Sequence, residues 1–224
     1  LKITSSDGNV IEKTVKTQAF RRDGFAHFNY TDGVGAYNDD GTLKSNAIVL
    51  YVTDENKDTV SVTSKDGTTV TGIGNILNYK SEDANGVTGG GKIDIVKQLR
   101  EEGIPLDIRF VGTIRGGDSN TSNNPPAENI KGLTGYNTTT NGGTKGDNGM
   151  MIRVYKSSNV TFEGIGTDAT FDGWGVQIIS QTGFVSQGFE FRNLNFTNTP
   201  EDAIGLEGTA SLSSSPQSKE WLNS

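Results

Sequence analysis

Hydrophobic positions along the chain follow two periods. One stretch is helical: in GKIDIVKQLREEGIP (Gly91–Pro105), Ile93, Val96 and Leu99 recur at helical spacing, with Lys97 and Arg100 in the polar half. Gly103 stops the pattern and Pro105 follows it, so the spacing predicts one amphipathic helix over 91–103. Elsewhere apolar residues come in short β-branched or alternating runs. NAIVLYVT (Asn46–Thr53) and LDIRFVGTI (Leu106–Ile114) read as buried strands, and DTVSVTS (Asp58–Ser64) alternates with period two. From Met150 onward short strands follow one another: MMIRVY, NVTFEGIG (Asn159–Gly166), DATFDG (Asp168–Gly173), GVQIIS (Gly175–Ser180), GFEFRNLNF (Gly188–Phe196) and DAIGLEG (Asp202–Gly208).

Two of these runs match by offset. Val160, Phe162 and Ile165 fall 29 positions before Phe189, Phe191 and Leu194, and Val176–Ile178 falls 27 to 28 before Ala203–Ile204. A period in the twenties with brief strands and Gly or Asn turns marks a solenoid. The predicted fold is therefore all-β, a right-handed parallel β-helix whose inward side chains stack into ladders. Phe162, Ile165, Phe189, Phe191 and Leu194 are the predicted core, each contributing about 1.5–3 kcal/mol on burial. Stacked turns expose backbone and apolar interior at an open end, and the helix over 91–103, directly before LDIRFVGTI, is the predicted N-terminal cap.

This organisation predicts a single domain over 1–224: an entry segment over 1–60, the capping helix over 91–103, and rungs over 106–208 with a surface insertion over 115–149. In the entry segment, YTDGVGAYNDDGTL (Tyr30–Leu43) is rich in glycine and aspartate and reads as an ordered, tightly turned loop.

Composition narrows the chemistry. The 224 residues include 30 glycines, no cysteine and one histidine, His27. Disulfides, thiolate metal sites and cysteine nucleophiles are excluded, and His27 reads as a structural or surface residue. The formal net charge of −7 argues against a nucleic-acid partner. No apolar run approaches the roughly 18 residues of a membrane span, so no membrane partner is expected. An acidic chain holds an anionic ligand only through a local basic patch or a bridging cation. The chain opens on Leu1, so it reads as processed or as part of a longer protein.

Four segments together resemble the pectate lyases of polysaccharide lyase family 1, from about Tyr30 to Gly208. Tyr30–Val60 resembles the entry segment of bacterial members, and TGGGKIDIVKQL with LDIRFVGTI resembles the capping helix and first rung. NVTFEGIGTDATFDGWGVQI (Asn159–Ile178) is similar to a rung of the family, and GFEFRNLNFTNTPEDAI (Gly188–Ile204) to the stretch that leads into its calcium site. The resemblance implies a secreted, extracellular bacterial enzyme that cleaves polygalacturonate (pectate) by β-elimination with Ca2+. There the cation neutralises carboxylate charge while a base removes the proton at C5. It also implies Asp202 as the first calcium ligand, with Glu201 beside it as a second. A further aspartate of some members falls at Pro200 here. Arg192, directed outward among core phenylalanines, is the residue expected to help bind the polyanion. Asp168 and Asp172 read as turn residues, Trp174 as packing at a rung corner, and Asn159 as a turn residue.

The family's W-x-D-H element does not follow DAIGLEG, and the arginine base is expected beyond Ser224. No catalytic residue is therefore assigned within the chain. It reads as the N-terminal portion of a lyase, with the C-terminal remainder as a covalent continuation or a separate chain. Three alternatives stand beside this reading: a pectin lyase without a calcium requirement, a non-catalytic β-helical carbohydrate-binding module, and a β-helical polygalacturonase. The last needs paired carboxylates about 5–10 Å apart, and no such motif is evident.

Overall fold

The structure, a computed structural model, describes residues 2–4, 10–12, 33–77, 95–116, 130, 134–136, 149–155, 157–180, 185–199 and 202–208. Of these, 51% lie in strands. In chain order the elements are β1 (Lys2–Thr4), β2 (Val10–Glu12), β3 (Ile48–Val52), β4 (Ser61–Thr63), β5 (Thr69–Thr71), α1 (Ile73–Leu77), α2 (Ile95–Glu101), β6 (Leu106–Arg115) and β7 (Thr134–Tyr136). They continue as β8 (Gly149–Tyr155), β9 (Ser158–Asp172), β10 (Gly175–Ile179), β11 (Gln187–Arg192), β12 (Asn195–Thr197) and β13 (Ile204–Glu207). The fold is all-β, with parallel sheets and, among the described residues, no closed barrel.

Two sheets carry the molecule. In the first, the order is β13-β10-β8-β7, parallel except for β7, which runs antiparallel to β8. In the second, the order is β11-β9-β6-β3, all parallel, and β12 pairs with the far half of β9. The offsets read from the sequence reappear as registers. Val160 lies opposite Phe189 and Phe162 opposite Phe191, 29 positions apart, and Val176 lies opposite Ile204, 28 apart. The predicted strands NVTFEGIG and DATFDG are one continuous strand, β9. Its register against β6 slips between Val111 and Thr113, where Gly112 and Gly166 both take positive φ.

Inward positions form ladders. Leu50, Ile108, Phe162 and Phe191 stand in successive register across β3, β6, β9 and β11. The rings of Phe162 and Phe191 stack at 4.5 Å and 9°. In the next column Phe171 packs edge-on to Phe110 and Phe196, and Trp174 stacks on Phe171 at 3.8 Å. Trp174 is fully buried, and its Nε1 donates to the Ile114 carbonyl at 2.8 Å, as a packing residue at a strand end requires.

Ile165 corrects the predicted core: it is 37% exposed, beside the equally exposed Val111 in the adjacent strand. Side chains of a strand alternate faces. Phe162 points inward, so a residue three positions on points out unless a turn resets the parity. In β11 such a reset exists, because Asn193 at φ 48° breaks the strand before Leu194. Leu194, Phe189 and Phe191 accordingly pack, half-buried, against the core. Between Phe162 and Ile165 the backbone has no such residue.

The described part of the predicted helix is Ile95–Glu101, ending two residues before Gly103, and residues 91–94, Ile93 among them, lie outside the described residues. It buries Ile95, Val96 and Leu99 in the same hydrophobic cluster as the strands. It stops as expected: Gly103 has φ 68°, and the Ile104 amide reaches back to the Leu99 carbonyl at 2.8 Å. Between β3 and α2 lie a hairpin, β4–β5, turned by Asp66-Gly67, and the short helix α1, which buries Ile73, Ile76 and Leu77. Ile48–Val52 hydrogen-bonds in register outside Leu106–Phe110, so among the described residues β3 forms the edge of its sheet. At the other end, Ile204 and Leu206 of β13 are exposed, with no outer neighbour among the described residues. No helix among the described residues is long and apolar enough to cross a membrane.

Candidate functional site

Asp202 stands immediately before β13, exposed, at the margin of the first sheet. A Cβ built on Gly205 would lie 2.9 Å from Gln177 Cγ and 3.5 Å from Asp202 Oδ2, so both side chains border the space that this glycine leaves open. Gly205 pairs with Gln177, and Gln177 with Arg153, across β13, β10 and β8. These are outward positions, since Ile152, Val154, Val176 and Ile178 between them are buried in the core.

The outer face thus carries a relay of polar side chains. Arg153 Nε donates to Gln177 Oε1 at 3.0 Å, and Gln177 Nε2 donates to Glu207 Oε1 at 2.7 Å. Gln177 is buried although it faces outward. Its amide is therefore fixed in orientation by a guanidinium on one side and a carboxylate on the other. A cation, a hydrogen-bonding amide and two exposed carboxylates, Asp202 and Glu207, run along one face of three strands. Such an arrangement can bind hydroxyl-rich or charged chains.

Glu201 lies outside the described residues. Arg192 is on β11, in the second sheet, and so on a different sheet from the strand that follows Asp202. Its Nη1 is held at 3.1 Å by Glu190, which is itself buried. A guanidinium held by a buried carboxylate sustains that ion pair first, and a polyanion would have to compete with it. The turn reading of Asp168 and Asp172 is corrected, since Asp168 lies within β9 and Asp172 is its last residue: the Asp168 carbonyl accepts from Thr170 Oγ1, and Asp172 Oδ1 accepts from Thr197 Oγ1 and Asn198 Nδ2. Asn159 has φ 61°, a conformation asparagine tolerates better than most residues. His27 lies outside the described residues.

The fit to calcium is incomplete. Calcium takes about 6–8 oxygen ligands, and among the described residues no group of three or more acidic or histidine side chains gathers to hold a metal ion. Asp202 supplies one exposed carboxylate, and the described residues do not by themselves make the shell.

Arg153, Gln177 and Glu207 were not singled out in the sequence. The signal was there in the alternation of MMIRVY and GVQII, where Arg153 and Gln177 occupy the outward parity. Their alignment with each other depends on the 24-residue spacing that brings Gln177 opposite Arg153. Comparison of the chain with protein-family models, with curated proteins and with solved structures finds no match.

Proposed function

We propose that the stacked parallel strands form a right-handed β-helix, and that this secreted chain belongs to a calcium-dependent pectate lyase that cleaves polygalacturonate by β-elimination. The observation that carries the reading is the position of Asp202. The carboxylate singled out by the resemblance is exposed beside Gly205, at the end of the Arg153–Gln177–Glu207 row. The 29- and 28-residue registers support the same architecture, because coils of that length bring like positions into lateral pairing.

In this reading the polymer lies along the outer face of β8, β10 and β13. Arg153 meets sugar carboxylates, and Gln177 and Glu207 orient hydroxyl groups. Calcium, when bound, would neutralise carboxylate charge at the reacting sugar, with Asp202 as one ligand. The role of the described residues ends at binding and orienting the chain.

Incubation of the complete protein, this chain together with its C-terminal remainder, with polygalacturonate tests the proposal. The expected result is an ultraviolet-absorbing unsaturated product that forms with calcium and stops on chelation. Reducing ends without that absorbance would mean hydrolysis, and binding without product would mean a carbohydrate-binding module. Either result rejects the lyase. Asp202→Ala is expected to raise the calcium concentration needed for half-maximal activity about tenfold or more, the equivalent of about 1.4 kcal/mol.

A further inference from the structure

We infer that Asp107 and Glu163 share one proton across the hydroxyl of Tyr37, and that this proton latches the loop of residues 33–44 onto the outer face of β6 and β9. Tyr37 Oη lies 2.8 Å from Asp107 Oδ2, 2.8 Å from Glu163 Oε2 and 3.1 Å from Arg109 Nη2. The count of hydrogens decides the matter. A phenol has one proton to donate, and a guanidinium has only donors. Tyr37 donates to one carboxyl and accepts from Arg109. The second 2.8 Å oxygen–oxygen contact is a hydrogen bond only if the other carboxyl carries a proton.

A second observation agrees. Asp107 is fully buried, and its Oδ1 has no hydrogen-bond partner, while its Oδ2 also accepts from Arg109 Nε at 2.8 Å. A bare buried oxygen costs far less on a neutral acid than on an ionised carboxylate. The latch is tied down by more than the tyrosine. The Ala36 amide donates to Thr161 Oγ1 at 2.9 Å, and a Cβ on Gly35 would sit 2.1 Å from that same oxygen.

Among the described residues, charged and titratable groups face this cluster from the neighbouring elements. From β3, Tyr51 Oη accepts from Arg109 Nη1. From β11, Glu190 pairs with Arg192 and accepts from Thr161 Oγ1. Within the loop, Asp39 accepts from the Gly33 amide and Lys44 Nζ donates to the Gly35 carbonyl.

Burial pushes the Asp107 carboxyl up, against hydrogen bonds from Tyr37 and Arg109 that pull it down, and the charge of Glu163 adds to the rise. A carboxyl raised on folding contributes stability that is full below its ordinary value, near 4, and is lost as pH climbs through the folded value.

A carboxyl-selective carbon NMR titration of the whole chain, from about pH 3 to about pH 9, tests the assignment. The expected result is one carboxyl that loses its proton later than the ordinary range. That late step should vanish in Glu163→Gln, whose amide donates to Tyr37 Oη without titrating, and in Asp107→Asn. The melting temperature of the native chain should fall as pH passes through the late step, and Glu163→Gln should flatten that fall. A native chain whose carboxyls all titrate in the ordinary range overturns the inference, and this arm needs no variant to fold. A late step that persists unchanged in both variants overturns it as well.

Discussion

Trp174→Ala should lower the unfolding free energy by about 3–5 kcal/mol, the range for removing a large buried aromatic side chain. Three losses act together. The indole is fully buried and stacks on Phe171 at 3.8 Å, so its removal opens a cavity in the aromatic column that also holds Phe110 and Phe196. Its Nε1 no longer satisfies the Ile114 carbonyl, and an unsatisfied buried acceptor costs a further 1–3 kcal/mol or so. Gly116 packs so closely that a Cβ there would lie 2.5 Å from Trp174 Cβ, so the backbone around the site is shaped to this one side chain. Trp174→Phe should retain most of the stacking and lose the hydrogen bond. Urea unfolding followed by circular dichroism measures both. A loss below about 1 kcal/mol for Trp174→Ala would show that the column is not part of the core.

The second large effect is expected at Gly164. A Cβ there would stand 1.9 Å from the Asn193 carbonyl oxygen and 2.6 Å from Ala169 Cβ. Neither neighbour can give way readily. Asn193 is held at φ 48°, and its Nδ2 donates to the carbonyls of Gly164 at 2.8 Å and Gly166 at 2.6 Å. The corner of one strand is thereby clamped to the turn of the next, 29 positions on. Gly164→Ala is expected to destabilise the chain by about 3 kcal/mol, the upper part of the overpacking range, because a backbone carbonyl is the obstacle. Asn193→Ala should cost about 1–3 kcal/mol, chiefly by removing the donor of the part-buried Gly164 carbonyl, since the Gly166 carbonyl is exposed to water. A thermal melt of each variant reads the difference, and a Gly164→Ala chain as stable as the native one would contradict the close approach.

These two positions also show where the sequence was legible. The strands after Met150 could be read because short apolar runs recur at nearly constant offset, and the register of Val160 with Phe189 follows directly from that spacing. Asp202 was singled out through the family resemblance instead, and it stands two residues before the first residue of β13. Parity was less legible. Ile165 shares the 29-residue match with Leu194, yet the two differ in environment because only one has a left-handed residue between it and the preceding phenylalanine. Helix α1 has five residues, too few for a helical period to show.

The polar cluster beneath Tyr37 was invisible for another reason. The alternation in LDIRF puts Asp107 and Arg109 outward, where a charged residue ordinarily meets water. That Tyr37, 70 positions earlier, covers them is a long-range fact that no local pattern encodes. Lys57 is a similar case: it is buried because its Nζ reaches both Asp54 Oδ1 and the Arg115 carbonyl at 2.8 Å.

Stacking of parallel turns underlies both the fold and the proposed polysaccharide face, and engineered disulfides test it most directly. The native chain has no cysteine, so any bridge is unambiguous. Thr113 pairs with Thr170, and Thr170 with Asn195, on three successive parallel strands. Neighbouring strands lie about 4.8 Å apart, within the reach of a disulfide, whereas strands two apart exceed its limit of about 7 Å between Cα atoms. Stacking of parallel turns requires that Thr113→Cys with Thr170→Cys, and Thr170→Cys with Asn195→Cys, each oxidise to an intramolecular bridge, while Thr113→Cys with Asn195→Cys does not. Ready bridging of the last pair, or none in the first two, would contradict it.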